Sequence, residues 1–368
     1  MKKKLKPIKK QAKLGFLSFL GDSQGCGTIR VIYPYFLLNH YRNKDVMVTS
    51  TYSMNYVSDP TWYQPFTFVQ FQRSATEEHL KLIQHFKNTV QKRYNIPLIY
   101  EIDDMLFNIP KFNYASLYYN RAEDIIKRIM SSCDAMITST QKLKEVYSQY
   151  CKKIEVIPNH LPKFIWGDRF LKHEYYNDGD KIKILWAGSQ NHFAMTDVVG
   201  KENKGGDFGK ELINFIRKTT DKYDWNLMGA LPEELKDIKH KIKFHSWENV
   251  FNYPKKIKDI EPDIMLAPLQ DNEFNRSKSN IKALEAAAAG AVGVYSDVTP
   301  YKFQQCKAIT DEEMISYIEK LANDVDYRAF IYNKDYQRVE SQLYWEDNQN
   351  LKKYINTYLG MFGKCLRY

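Results

Sequence analysis

A chain of 368 residues with 43% apolar residues is long enough for two cored domains, which excludes a disordered protein and a disulfide-stapled miniature. Its formal net charge of +10 favours a polyanionic partner. Five scattered cysteines without a C-x-x-C pair exclude a disulfide framework and a cysteine-ligated zinc, and suit the reduced thiols of a cytoplasmic protein, as does the lack of a leader-like or membrane-length apolar segment.

Residues 1–13, "MKKKLKPIKKQAK", hold Lys2, Lys3, Lys4, Lys6, Lys9 and Lys10 and read as a basic arm. It is either a solvated tail or a segment that touches nucleic acid or an anionic membrane surface. From residue 14 short apolar runs alternate with amphipathic stretches. "KLGFLSFL" predicts a buried strand that ends in the glycine turn "GDSQGCGTIR", and "VIYPYFLLNHY" predicts a helix after it. "DVMVTS" and "FTFVQFQR" predict strands. Leu80, Ile83, Phe86 and Val90 recur at helical spacing. "IPLIYEID", "AMITST" and "KIEVIPN" predict further strands, separated by helices over "YNRAEDIIKRIMSSC" and "QKLKEVYSQYC".

The pattern breaks from Pro162, and residues 166–180 read as a linker between a first domain, 14–165, and a second, 181–340. In the second, "KIKILWAG", "WNLMGA", "KIKFHSW", "DIMLAPL" and "AVGVYSD" predict strands, with helices over "FGKELINFIRKTT", "NYPKKIKDI" and "SNIKALEAAAAG". Residues 195–209 read as a mobile, glycine-rich loop, and 341–368 as a terminal helical segment. Strands alternating with helices imply crossover units and parallel sheets.

Ligands collect beyond the carboxyl ends of parallel strands. Gly25 and Gly27 allow close backbone approach to a phosphate or sugar, with Arg30 behind them; the plain alternative is an ordinary strand–helix turn. Asp103 and Asp104 follow a strand directly and are candidates for binding sugar hydroxyls, acting as a base or holding a metal; their spacing does not choose. Gly188, Ser189 and His192 follow the first strand of the second domain, and His192 is a candidate catalytic group. In "RSKSNIKALEAAAAGAVGVYSD", residues 276–297, a helix start near Ser279 offers unpaired N–H groups and a positive dipole end. Arg276, Lys278 and Lys282 add charge there, and Glu285 lies close enough to accept two ribose hydroxyls. The alternative is a surface helix in which Glu285 merely pairs with Lys282 or Lys278.

At these residues the chain resembles the GT-B glycosyltransferases, especially the large retaining family numbered 4. The glycine turn, "VIPNH" at 156–160, "ILWAGS" and "KSNIKALEAAAAGAVGV" occur in that family's order. The resemblance implies two Rossmann-like domains facing across a cleft, with the terminal helix crossing back onto the first. It implies that Glu285, as the second glutamate of a Glu-x₇-Glu motif, binds the donor's ribose, and that the amides of Lys278, Ser279 and Asn280 bind the distal phosphate. The first glutamate position, which contacts the transferred sugar, is Ser277 here, and no Arg–Lys pair follows "ILWAGS". Arg30, Arg276, Lys278 and Lys282 are the cations left to neutralise the diphosphate.

The implied activity is a retaining sugar transfer from a nucleotide sugar, a UDP-sugar first, with no permanently bound cofactor. The fold requires no divalent metal, though the aspartate pair leaves one open. Three acceptor readings compete. The first is hydroxymethylated pyrimidine in double-stranded DNA, as in phage DNA-modifying members, which the basic arm and high pI favour. The others are a cell-surface or lipid-linked glycan, and a sugar- or nucleic-acid-binding protein without turnover.

Overall fold

The computed structural model describes residues 14–22, 24–42, 46–52, 56–169, 180–200, 205–347 and 349–363. The six arm lysines, residues 170–179 of the expected linker and 201–204 of the expected loop lie outside these.

The first sheet comprises β1 (Leu14–Leu20), β2 (Val46–Tyr52), β3 (Phe68–Gln72), β4 (Leu98–Ile102), β5 (Ala135–Thr138) and β6 (Ile154–Val156). All are parallel, in the order β2-β1-β3-β4-β5-β6. Every residue of β1, β3 and β4 is buried, as expected of parallel strands covered on both faces. The helices that cover them include α1 (Tyr33–Arg42), α2 (Glu77–Phe86) and α3 (Glu123–Ser132). Thr76 caps α2 through the His79 N–H, and Leu80, Ile83 and Phe86 are buried along it; Val90 is also buried, past a wider π turn over Lys87–Gln91.

The second sheet comprises β7 (Lys183–Ala187), β8 (Asp224–Met228), β9 (Lys243–His245), β10 (Ile264–Ala267), β11 (Val292–Ser296) and β12 (Lys307–Ala308), in the order β12-β11-β10-β7-β8-β9. Read from β9, this is the 3-2-1-4-5-6 order of a Rossmann sheet. Helices α4 (Lys210–Lys218), α5 (Tyr253–Ile260), α6 (Ile281–Ala289), α7 (Asp311–Asn323) and α8 (Val325–Leu343) pack around it. Glu233–Lys241, where no element is legible in the sequence, winds into 3₁₀ turns that bury only Leu235.

The last helix, α9 (Asn350–Met361), returns to the first domain. Tyr354, Ile355, Tyr358 and Leu359 share one buried cluster with Leu14, Phe16 and Phe68, and the Tyr358 ring meets Phe16 edge-on at 5.1 Å. At roughly 1.5–3 kcal/mol per buried large side chain, this return fastens the two domains together. The result is two Rossmann-like domains facing across a cleft, the GT-B architecture. Strand order fixes where ligands gather: the order reverses between β1 and β3 in one domain and between β7 and β10 in the other, and the loops leaving those strands face the same gap.

His160 marks the junction of the domains. Its Nδ1 donates to the Gln342 carbonyl at 2.6 Å, and its ring lies 4.3 Å from that of Trp345. Burial lowers its pKa from 6.5 to about 4. The folded protein therefore holds His160 neutral while the unfolded chain takes up a proton below about pH 6.5. Stability from this residue is complete above that pH and falls as pH drops towards 4, by about 3 kcal/mol in all. Urea midpoints measured from pH 7.5 to 4.5 are expected to fall less steeply for His160→Phe than for the natural chain; parallel curves would take His160 out of the acid response.

Candidate active site

A cavity of about 300 Å³ occupies the gap. Gly25, Cys26, Ile29, Tyr33, Asp103 and Asp104 line it from the first domain, and Gly188, Ser189, His192, Trp247, Tyr253, Lys278, Ser279, Lys282 and Glu285 from the second.

Helix α6 is built for close approach. Seven of its nine residues are buried, Leu284 and Ala288 completely, and Gly290 ends it in the left-handed conformation at φ 72°. The Tyr332 hydroxyl donates to the Ala287 carbonyl at 3.0 Å, so α8 presses on a face that only alanines leave thin enough. The helix is therefore no surface element, and Glu285, 6% exposed, is a buried carboxylate at the cavity wall. Its Oε2 accepts from Lys282 Nζ and from the Tyr253 hydroxyl, each at 2.8 Å, and Lys282 Nζ lies 2.9 Å from that hydroxyl. The pairing of Glu285 with Lys282 thus occurs, but within a partly buried triad at the cavity wall rather than on a solvated face, where such a pair contributes only tenths of a kcal/mol. Burial, and then the neighbouring carboxylate, push the Tyr253 hydroxyl well above its ordinary value, so it stays a proton donor to Glu285.

The cations are distributed otherwise than their sequence clustering implies. Lys278 reaches across the gap, its Nζ 3.7 Å from Asp104 Oδ1. Arg276 stands exposed in a two-pronged pair with Asp271 at 2.6 and 2.7 Å and does not line the cavity. Arg30 is buried: its Nε donates to Glu101 Oε1 at 2.6 Å, and its NH1 donates to the Ile157 carbonyl and to Asn159 Oδ1. Burial pushes the Glu101 carboxyl up and the guanidinium beside it pulls it back. Arg30 is thus a structural ion rather than a diphosphate ligand. Ser277 is also sealed in, its hydroxyl donating to the Glu273 carbonyl at 2.8 Å, so it does not reach a sugar. Asn280 stands at the start of α6 and exchanges hydrogen bonds with Gln342 rather than facing the cavity.

In the glycine turn only Gly25 borders the cavity with open space around it. At Gly27 a Cβ would fall 1.9 Å from the Asp22 carbonyl oxygen, so the close approach there is to its own chain and not to a ligand. Asp103 is half-buried, and desolvation raises its carboxyl pKa while Arg73, at 3.7 Å, lowers it. Arg73 itself adopts a left-handed backbone at φ 50°, a costly conformation for a non-glycine residue, and donates to Cys26 Sγ at 2.7 Å. Among the described residues, no group of three or more metal-ligating side chains comes together, and no helix is long and apolar enough to cross a membrane.

Two residues of the site escape sequence reading. Tyr253 sits in "NYPKKIKDI", whose pattern signals only a helix. Asp207 belongs to the segment expected to be a mobile loop, yet it is buried and bonded to His192 at 2.7 Å.

No protein-family model matches the sequence, nor does any curated protein. Solved structures share the fold. The N-terminal domain of trehalose-6-phosphate phosphatase from Candida albicans superposes with a TM-score of 0.59 at 8% identity, over 97% of this chain and 98% of that one. TarM superposes at 0.52 and 11% identity over 81% of this chain, which spans 55% of the length of TarM. A variant of the Thermobaculum terrenum O-GlcNAc transferase superposes at 0.50 and 10% identity, over 95% of this chain and 68% of that one. At such identities the likeness is one of fold.

The buried pair supplies a test. Arg30→Met removes the cation and strands the Glu101 carboxylate, which is expected to cost ~3–5 kcal/mol of stability. Denaturant midpoints of Arg30→Met and of the double variant Arg30→Met/Glu101→Leu measure this; the double variant is expected to recover much of the loss.

Proposed function

We propose that the protein is a glycosyltransferase that takes a nucleotide sugar, a UDP-sugar first, in the gap between its domains. The observation that carries this reading is the buried carboxylate of Glu285, one turn into α6, at the wall of a cavity lined by both domains. The nine-residue helix presents N–H groups and a positive dipole end to a diphosphate, with Lys278, Ser279 and Lys282 beside it. Both described bonds to Glu285 fall on Oε2, which leaves Oε1 as the acceptor for ribose hydroxyls. Gly188 and Ser189 also line the cavity.

Cleavage of the sugar–phosphate bond places negative charge on the departing diphosphate, and the helix dipole and the two lysines stabilise it there. Asp103 and Asp104 stand on the first-domain side and orient the acceptor. The shared fold with an O-GlcNAc transferase supports sugar transfer as the chemistry. For the acceptor we take the hydroxymethyl group of modified pyrimidines in double-stranded DNA, because a net charge of +10 and the lysine arm suit a polyanion.

Calorimetry with UDP tests the donor site. Glu285→Ala is expected to weaken binding ~10–100-fold, the loss of one or two hydrogen bonds to a charged group; unchanged affinity would remove Glu285 from the site. Incubation of hydroxymethylated DNA with a panel of nucleotide sugars tests the acceptor by DNA mass. A gain supports DNA, whereas transfer only to a lipid-linked glycan selects that acceptor instead.

A further inference from the structure

His192 lines two cavities. One is the 300 Å³ cleft, and the other is an adjoining space of about 190 Å³ walled by Arg73, Asp104 and Asn113 of the first domain and Asn191, Asp207 and Lys278 of the second. A group placed between a donor site and a second opening stands where an acceptor would meet the donor.

The surroundings of His192 fix its ring. Nδ1 lies 2.7 Å from Asp207 Oδ2, and the Asp207 side chain is 4% exposed. The other carboxylate oxygen, Oδ1, accepts the Gln270 N–H at 2.9 Å and Asn275 Nδ2 at 3.0 Å. The Asp207 N–H donates to the His192 carbonyl at 2.8 Å, and Phe193 bridges Gly206, so the two segments are tied by backbone as well. The edge of Trp186 stands against the ring at 5.7 Å. A carboxylate facing Nδ1 makes that nitrogen the proton bearer in the neutral ring, which leaves the lone pair on Nε2. Asp103 and Asp104 each face a cation at 3.7 Å, Arg73 and Lys278 respectively, so both carboxylates are already engaged in ion pairs. The other titratable or charged groups lining the two cavities are Cys26, Arg73, Asp104 and Lys278 in the smaller, and Tyr33, Asp103, Glu248, Tyr253, Lys282, Glu285 and Tyr301 in the larger.

We propose that His192 is the general base of the transfer, that Asp207 is its positioning residue, and that the acceptor hydroxyl arrives through the smaller cavity. This rests on the larger cavity being the nucleotide-sugar site. In the step, Nε2 takes the proton of the acceptor hydroxyl as its oxygen bonds to the anomeric carbon. The bond from that carbon to the phosphate oxygen breaks, and its electron pair leaves with the nucleoside diphosphate. Asp207 stabilises the imidazolium that forms. A single displacement of this kind inverts the anomeric carbon, where the family resemblance implies retention.

The test uses the full chain, UDP binding by calorimetry, and UDP release from a panel of UDP-hexoses with hydroxymethylated DNA or water as acceptor. Asp207→Asn and His192→Ala are expected to hold UDP within ~2-fold of the natural chain while turnover falls on the order of 10²–10⁴-fold. Turnover lost in His192→Ala should return with added imidazole, and that of Asp207→Asn should not. The product anomer, read by NMR, should be inverted. Retained configuration, unchanged turnover in either variant, no rescue of His192→Ala by imidazole, or UDP binding without release from any donor would overturn the proposal. Failure of the natural chain to bind UDP at all would instead remove the donor-site reading beneath it.

Discussion

A relay of hydrogen bonds runs from the middle of the first sheet to the start of helix α6, and the cleft takes its shape from it. Glu101, in the fully buried β4, holds the Arg30 guanidinium at 2.6 Å. Arg30 in turn donates to Asn159 Oδ1 at 2.8 Å, and Asn159 Nδ2 donates to Ser279 Oγ at 2.9 Å. Gln342 closes the set by donating both to the Asn159 carbonyl and to Asn280 Oδ1 at 3.0 Å. A buried ion pair is weak evidence of stability, because desolvation offsets attraction. Its effect here is positional: it sets the chain after β6 against the amino end of α6, where the diphosphate is proposed to rest.

The alanines of α6 follow from the same geometry. The helix must lie between β10 and β11 on one side and α8 on the other, with Leu284 and Ala288 fully excluded from solvent. A larger side chain at those alanines would force the helix outward and lift Glu285 from the cavity wall. Interiors packed at crystal density tolerate such insertions at a cost of about 1–3 kcal/mol. Glu285 is kept at the wall by Tyr253 and Lys282, so the carboxylate is held in place before any ligand arrives.

Beyond that relay, further polar contacts cross the gap beside the site. Lys278 faces Asp104, Thr140 Oγ1 donates to the Ser277 carbonyl at 2.9 Å, and Tyr33 donates to the Val250 carbonyl at 2.9 Å. These ties bring the start of α1 and the loops after β4 and β5 against the loops after β9 and β10. Two adjoining cavities share the seam, with His192 at their border.

Sequence alone carries the alternation of strands and helices, because buried parallel strands must be continuously apolar and their covering helices amphipathic. It also carries the basic, alanine-rich block around Glu285, since a helix start, cations and small residues are all local signals. The triad with Tyr253 spans 32 residues, the Arg30–Glu101 pair 71, and the reach from Asn159 to Ser279 120. No periodicity encodes such separations, so the sequence placed Arg30 and Ser277 at the ligand while packing turned both inward. Asp207 shows the converse: a glycine-rich stretch reads as a loose loop until the fold seats its carboxylate behind His192. Which charged side chain faces the cleft and which is sealed beneath it was decided by the tertiary structure, because the cost of burying a charge depends on the partner brought to it from elsewhere in the chain.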